Sequence, residues 1–176
     1  MGIDVWVLRG SQQPEVMPLA TSGVLEHRFH LCFLNYHSLG ICLALDDEED
    51  VISTATRRFC DDVALAFTGE SRQPGANNLK WPVRGSEDNS FAAAQSVISQ
   101  RLMGLPGLVL VFGKEATACI RGMESAGDDE VLILDGRQII ALDSITDICS
   151  GVTGKRTLWQ RLQRVKEPKS VKGNPG

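Results

Sequence analysis

The sequence predicts an α/β domain, a three-layer α/β/α sandwich around a mostly parallel sheet. Three observations carry this expectation. Short apolar runs alternate along the chain with segments of helical periodicity. Leu108–Phe112 (LVLVF) is apolar on both parities, as in a strand covered on both faces. Val131–Leu134 and Ile139–Leu142 are two β-rich runs joined through Asp135-Gly136, a dipeptide that tolerates the positive φ of a tight hairpin turn.

The elements follow in order. Met1–Gly10 (MGIDVWVLRG) is apolar on both parities, and Gln12–Gly23 reads as a loop carrying Pro14 and Pro18. Residues 1–23 are therefore expected to form a peptide and linker tethered to the body. Residues 24–167 are expected to form a single α/β domain, and 168–176 a disordered tail. Val24–Tyr36 reads as a strand, Ser38-Leu39-Gly40 as a break, and Ile41–Leu45 as a short buried strand. The acidic run Asp46–Asp50 follows. Val51–Phe67 is expected to be a helix with its stripe at Val51, Ile52, Ala55, Phe59, Val63, Ala66 and Phe67.

Thr68–Asn78 reads as a polar loop and Leu79–Pro82 as a short strand ended by proline. Ser90–Met103 has helical spacing, and Gly104 and Pro106-Gly107 stop it. Leu108–Phe112 belongs at the sheet centre. Gly113 turns the chain into a short helix, Lys114–Arg121. After the 131–142 strands come a short helix near Ser144–Cys149 and a basic helix, Lys155–Val165. Leu158, Leu162 and Val165 form the buried stripe of that last helix.

The chain has 176 residues, enough for one domain that buries roughly 70% of its unfolded surface. From Lys155 onward it holds seven of the 18 basic residues and one of the 22 acidic ones. An acidic body with a basic tail suggests protein–protein contact or weak contact with a nucleic-acid backbone, not a dedicated nucleic-acid groove. The five cysteines are scattered singly, which suggests a reducing compartment with thiols as small core residues. With no secretory leader and no membrane-length apolar run in view, a cytoplasmic location is expected.

Candidate chemistry is sparse. Asp46–Asp50 (DDEED) at a strand end could bind Mg²⁺, since hard cations take carboxylates. Acids at a helix N-terminus also oppose the macrodipole, and that reading is preferred. Gly113-Lys114-Glu115 does not make a phosphate-binding loop, because Gly107 is one position too distant and Glu115 replaces Ser/Thr. His27 and His30 differ in strand parity and cannot chelate one metal. A dyad of Cys32 with a histidine has no local signature. Ser144 ahead of a helix reads as an N-cap. No catalytic residue, cofactor or metal is expected.

MGIDVWVLR, ICLALDDEED, LKWP, LVLVFGKEA and VLILDGRQIIALDSITDI with GKRTLWQRLQ, in that order, resemble the psi subunit family of bacterial DNA polymerase III. The most specific parts are the G-I-x-x-W-x-L-R opening and the closing K-R-x-L-W-x-x-L. The resemblance implies a uracil-DNA-glycosylase-like fold without glycosylase chemistry. Where such an enzyme has its Gln-Asp-Pro-Tyr and His-Pro-Ser loops, this chain has Asp46–Asp50 and Asp143–Thr146. It further implies a bridge within the polymerase holoenzyme. An N-terminal peptide docks on the clamp-loader tau/gamma subunits, and the body binds the chi subunit, which contacts single-stranded-DNA-binding protein. Carried over by residue, the clamp-loader contacts are Gly2, Ile3, Trp6, Leu8 and Arg9, with little or no direct DNA binding. Family members carry several residues ahead of this motif. A chain that begins almost on it implies a shortened docking peptide or an earlier start.

Two other readings compete. One is an active glycosylase-like or metal-dependent nucleic-acid hydrolase using Asp46–Asp50. The other is a weak DNA-binding module that uses the basic tail.

Overall fold

In the computed structural model, residues 28–46, 50–69, 73–122 and 131–166 are described. The opening peptide with Gly2, Ile3, Trp6, Leu8 and Arg9, His27, the centre of the acidic run and the tail 168–176 lie outside the described residues.

Six strands form one sheet. They are β1 (Phe29–Tyr36), β2 (Leu39–Ala44), β3 (Gly75–Trp81), β4 (Leu108–Phe112), β5 (Val131–Leu134) and β6 (Arg137–Leu142), in the order β3-β1-β2-β4-β6-β5. Five helices accompany them: α1 (Thr54–Thr68), α2 (Phe91–Met103), α3 (Lys114–Arg121), α4 (Ile145–Ser150) and α5 (Val152–Lys166).

The sheet is mixed, not mostly parallel. Only β2–β4 and β4–β6 pair in parallel, while β1–β2, β1–β3 and β5–β6 are antiparallel. The reason is connection length. Tyr36 faces Leu39, so only His37 and Ser38 link β1 to β2, and a two-residue link can only reverse the chain. His37 takes the left-handed conformation that this turn needs, with φ 62. The β5–β6 hairpin forms as the Asp-Gly pair predicts. Asp135 and Gly136 both have positive φ (49 and 75), as a type I′ turn requires.

The third strand is longer than expected. Gly75–Asn78, read as loop, pairs along β1 from Asn35 to Cys32. This is an edge strand, and its first four residues are exposed. The backbone ladder holds them, so the polar side chains carry no alternating pattern for a sequence reading to detect.

Helices cover both faces. Alternate residues of β1, Cys32, Leu34 and Tyr36, turn toward one core with Cys60 and Val63 of α1, Ile148 of α4, and Leu158 and Leu162 of α5. Phe29, Leu31 and Phe33 turn the other way, onto Ile98 and Leu102 of α2 and Ala116 and Ile120 of α3. The two-residue period of a strand separates these sets cleanly. β4 lies between β2 and β6, and its Val109, Leu110, Val111 and Phe112 are all buried, as its sequence predicts.

Helix α1 corrects one detail. It starts after Ser53, so Val51 and Ile52 precede it, and Val51 is 73% exposed. Its buried residues are Cys60, Val63 and Ala64, whereas Ala55 and Ala66 face solvent. Helix α5 begins three residues earlier than expected, and it buries Leu158 and Leu162 as expected. Among the described residues, no helix is long and apolar enough to cross a membrane.

Candidate functional site: the crevice at the ends of the parallel strands

Strand β2 leads into α1, on the face of Cys32 and Leu34, whereas its parallel neighbour β4 leads into α3, on the opposite face. Chains leaving adjacent parallel strand ends toward opposite faces open a crevice between them, the usual ligand position in open α/β sheets. A cavity of about 420 Å³ lies there. Leu43–Asp46 line it from the end of β2, Ser53 and Thr56 from the start of α1, Phe112–Glu115 from the end of β4, and Ser144–Thr146 from the end of β6. Asp46, after β2, and Ser144–Thr146, after β6, both within stretches singled out in the sequence, therefore meet at one place.

Backbone geometry sets this arrangement. Gly113 has φ 92 and ψ 152, a conformation open essentially to glycine alone, and its N–H donates to Leu142 O at 3.0 Å. That bond ties the end of β4 to the end of β6. Gly113 O then accepts from Thr117 N at 3.1 Å and Thr117 Oγ1 at 2.8 Å, which starts α3.

Three hydroxyls of the crevice, those of Ser53, Thr56 and Ser144, are committed to helix starts. Ser53 Oγ accepts from Thr56 N at 3.1 Å and shares a hydrogen bond with Thr56 Oγ1 at 2.8 Å. Ser144 Oγ accepts from Asp147 N at 3.1 Å and donates to Asp147 Oδ2 at 2.6 Å. A nucleophilic serine needs its proton directed at a base that can take it. Ser144 directs its proton to a carboxylate one turn into its own helix, the geometry of an N-cap. Beside the crevice, exposed Asp143 has Arg161 Nη1 of α5 at 4.0 Å.

The structure separates the ends of the acidic run. Asp46 is exposed at the crevice, whereas Asp50 lines a different cavity at the end of β3. Asn78 Nδ2 donates to Asp50 O at 2.7 Å and holds that end of the run against the sheet edge. Among the described residues, no group of three or more His, Cys, Asp or Glu side chains could hold a metal ion.

Cys32 and His30 point to the same face, two residues apart, and both are buried. Burial pushes the Cys32 thiol up to about 11, against a smaller opposing effect from Arg57. That direction disfavours the thiolate a cysteine nucleophile requires.

The sequence reading missed the second cavity, about 840 Å³, lined by Arg28, Asp50, Lys80, Trp81, Pro82, Val83 and Arg84. The pair of basic residues, Lys80 and Arg84, flanking Trp81-Pro82-Val83 was the available signal. Lys114 and Glu115, which fit no phosphate-loop pattern, are also walls of the crevice, and no local signal in the sequence marks them as such.

Comparison with protein-family models, curated proteins and solved structures finds no match to the chain.

Proposed function

We propose that the chain is a non-catalytic, cytoplasmic accessory subunit of a bacterial DNA polymerase III holoenzyme, similar to psi and built on a uracil-DNA-glycosylase-like fold. In this reading it bridges the clamp-loader tau/gamma subunits to the chi subunit, and so to single-stranded-DNA-binding protein. The ordered motifs from Gly2 to Gln163 support the assignment. The observation that carries the non-catalytic part is the use of the crevice hydroxyls. Ser53 and Ser144 sit where chemistry would occur in a fold of this kind, and both serve as helix caps. Among the described lining residues there is no histidine to take or give a proton. The parallel core β2-β4-β6, with helices on both faces and a crevice at its strand ends, supports the fold assignment.

The docking role is assigned to Gly2, Ile3, Trp6, Leu8 and Arg9. Trp6 is the expected anchor, because tryptophan is enriched among residues that dominate interface energies. Calorimetric titration of the chain against a purified clamp-loader tau/gamma subunit tests it. Trp6→Ala should weaken binding by roughly tenfold or more while the unfolding midpoint stays unchanged. Unchanged affinity overturns the docking role. Uracil release from single-stranded DNA, with or without Mg²⁺, that disappears in Asp46→Asn would replace this reading with a hydrolase.

A further inference from the structure

The two edges of the sheet differ in kind. β3, at one edge, opens on Gly75-Ala76-Asn77-Asn78 and carries exposed Lys80, a polar and charged composition that discourages further strand pairing. β5, at the other edge, is Val131-Leu132-Ile133-Leu134, with no charge, proline or glycine. Leu132 and Leu134 pack against the core that contains α2 and α3. Val131 and Ile133 point to the opposite face and are 40% and 67% exposed.

The hairpin fixes which backbone groups of β5 face outward. Its turn has two residues, so Leu134 and Arg137 exchange hydrogen bonds across it. An antiparallel ladder alternates, which makes Leu132 the next β5 residue bonded to β6. The N–H and C=O groups of Val131 and Ile133 therefore point away from β6, toward the open edge. The same two residues present apolar side chains on one face. Backbone donors and acceptors at every second residue, beside apolar side chains, match an extended segment that adds as a strand.

Charge narrows the partner. Between Gly122 and Gly154 the chain has seven acidic residues and one basic residue, Arg137. Asp128, Asp129 and Glu130 come directly before β5 in the chain, and exposed Asp135 comes directly after it. Arg137 is committed to the end of α2, where it donates to Met103 O at 2.6 Å and to Leu105 O at 3.3 Å. A second copy would bring like charges together, because antiparallel pairing centred on Leu132 sets Asp135 opposite Asp129. A segment with basic residues at its ends meets the opposite charge.

We infer that the open edge of β5 takes an extended segment of another protein, apolar at alternate positions and basic at both ends, as a seventh strand. This contact is separate from the opening peptide and does not rest on the accessory-subunit reading.

The test uses the full chain and labelled synthetic peptides, with binding read by fluorescence anisotropy. One peptide is Lys-Arg-Val-Thr-Val-Thr-Val-Lys-Arg. A second has the same centre with Glu-Asp at each end, and a third is the basic-ended peptide with its valines and threonines N-methylated. The basic-ended peptide should bind saturably, and more weakly as salt rises. On binding, hydrogen exchange should slow at the Val131 and Ile133 amides and change little at Leu132 and Leu134, which already bond to β6. Ile133→Thr keeps a β-branched residue at an exposed position, so the melting curve should stay unchanged. Binding should weaken by about tenfold as apolar contact is lost. Asp135→Asn keeps a residue that tolerates the positive φ of the turn and should weaken binding by about twofold to fivefold at low salt. Strand addition at β5 is overturned if the basic-ended peptide does not bind, if the acid-ended or N-methylated peptide binds as tightly, if the Val131 and Ile133 amides keep their exchange rates, or if binding ignores Ile133→Thr. A dimer of the chain alone that Ile133→Thr disperses in sedimentation would make a second copy the occupant, and it too overturns the assignment. None of these outcomes depends on clamp-loader association, so this contact and the accessory-subunit reading fail separately.

Discussion

Gly154, in the first turn of α5, shows how one missing methyl group shapes the molecule. A Cβ placed there would lie 2.8 Å from Ile148 Cα and 2.9 Å from Ile148 O. Both are backbone atoms of α4 and cannot rotate aside. The glycine therefore sets how closely α4 and α5 approach, and Ile148 is buried at that contact. Gly154→Ala should destabilise the fold by about 1–3 kcal/mol, the usual range for overpacking. Urea unfolding measures it, and a loss below about 0.5 kcal/mol would show that the helices part without strain.

Buried thiols give the molecule a pH dependence. Burial, with smaller contributions from Cys32 and Asp61, pushes Cys60 up to about 12. Tyr36, whose hydroxyl donates to Asp61 Oδ1 at 2.7 Å, is raised in the same direction, chiefly by burial. In both cases the fold holds the protonated form. The unfolded chain releases the Cys60 proton near its ordinary value of 9.0 and the folded chain only near 12. Between these values the unfolded state binds fewer protons, so stability is intact below about pH 9 and falls as pH rises through the window. Urea midpoints at pH 7 and pH 10.5 should differ, and Cys60→Ala should shrink the difference while costing some stability at both. An unchanged difference in the variant would place the alkaline sensitivity elsewhere.

At the scale of elements, the helices were the more legible part. Ser53, Ser90 and Ser144 each accept a backbone N–H three residues onward, from Thr56, Ala93 and Asp147. Of these, Ser144 is the one the sequence analysis predicts as a cap. Ser53→Ala should cost about 1 kcal/mol, the typical value of an N-cap. The same substitution at exposed Ser150, outside the caps, should cost less in a parallel thermal melt. The strands were harder to read. The sense of β1 is fixed by the two-residue link His37-Ser38, not by its own residues. β3 begins in Gly75-Ala76-Asn77-Asn78, whose strand character comes from pairing with β1.

At the scale of the whole molecule, the layers were legible because both cores are written in strand alternation and helix spacing. Leu110 and Phe112 face one core, and Val109 and Val111 the other. The convergence of Asp46, Lys114 and Ser144 was not legible, because it depends on which neighbouring strands run parallel. The separation of Asp46 from Asp50 depends on Asn78 reaching back to Asp50 O, a contact 28 residues apart in the chain. The β3-end cavity joins Arg28 to Lys80 and Arg84 through β1–β3 pairing, which no local pattern in Gly75–Asn78 announces. Two regions therefore carry the proposed role, a crevice in which Ser53 and Ser144 cap helices and an opening peptide to which docking is assigned as a proposal.

Sedimentation of the full chain mixed with purified clamp-loader tau/gamma subunits and chi distinguishes a bridging subunit from a bystander. A bridge gives one ternary complex, with chi carried to the clamp loader only when this chain is present and released from it by Trp6→Ala. Three components that sediment separately, or chi reaching the clamp loader equally well without this chain, would contradict it.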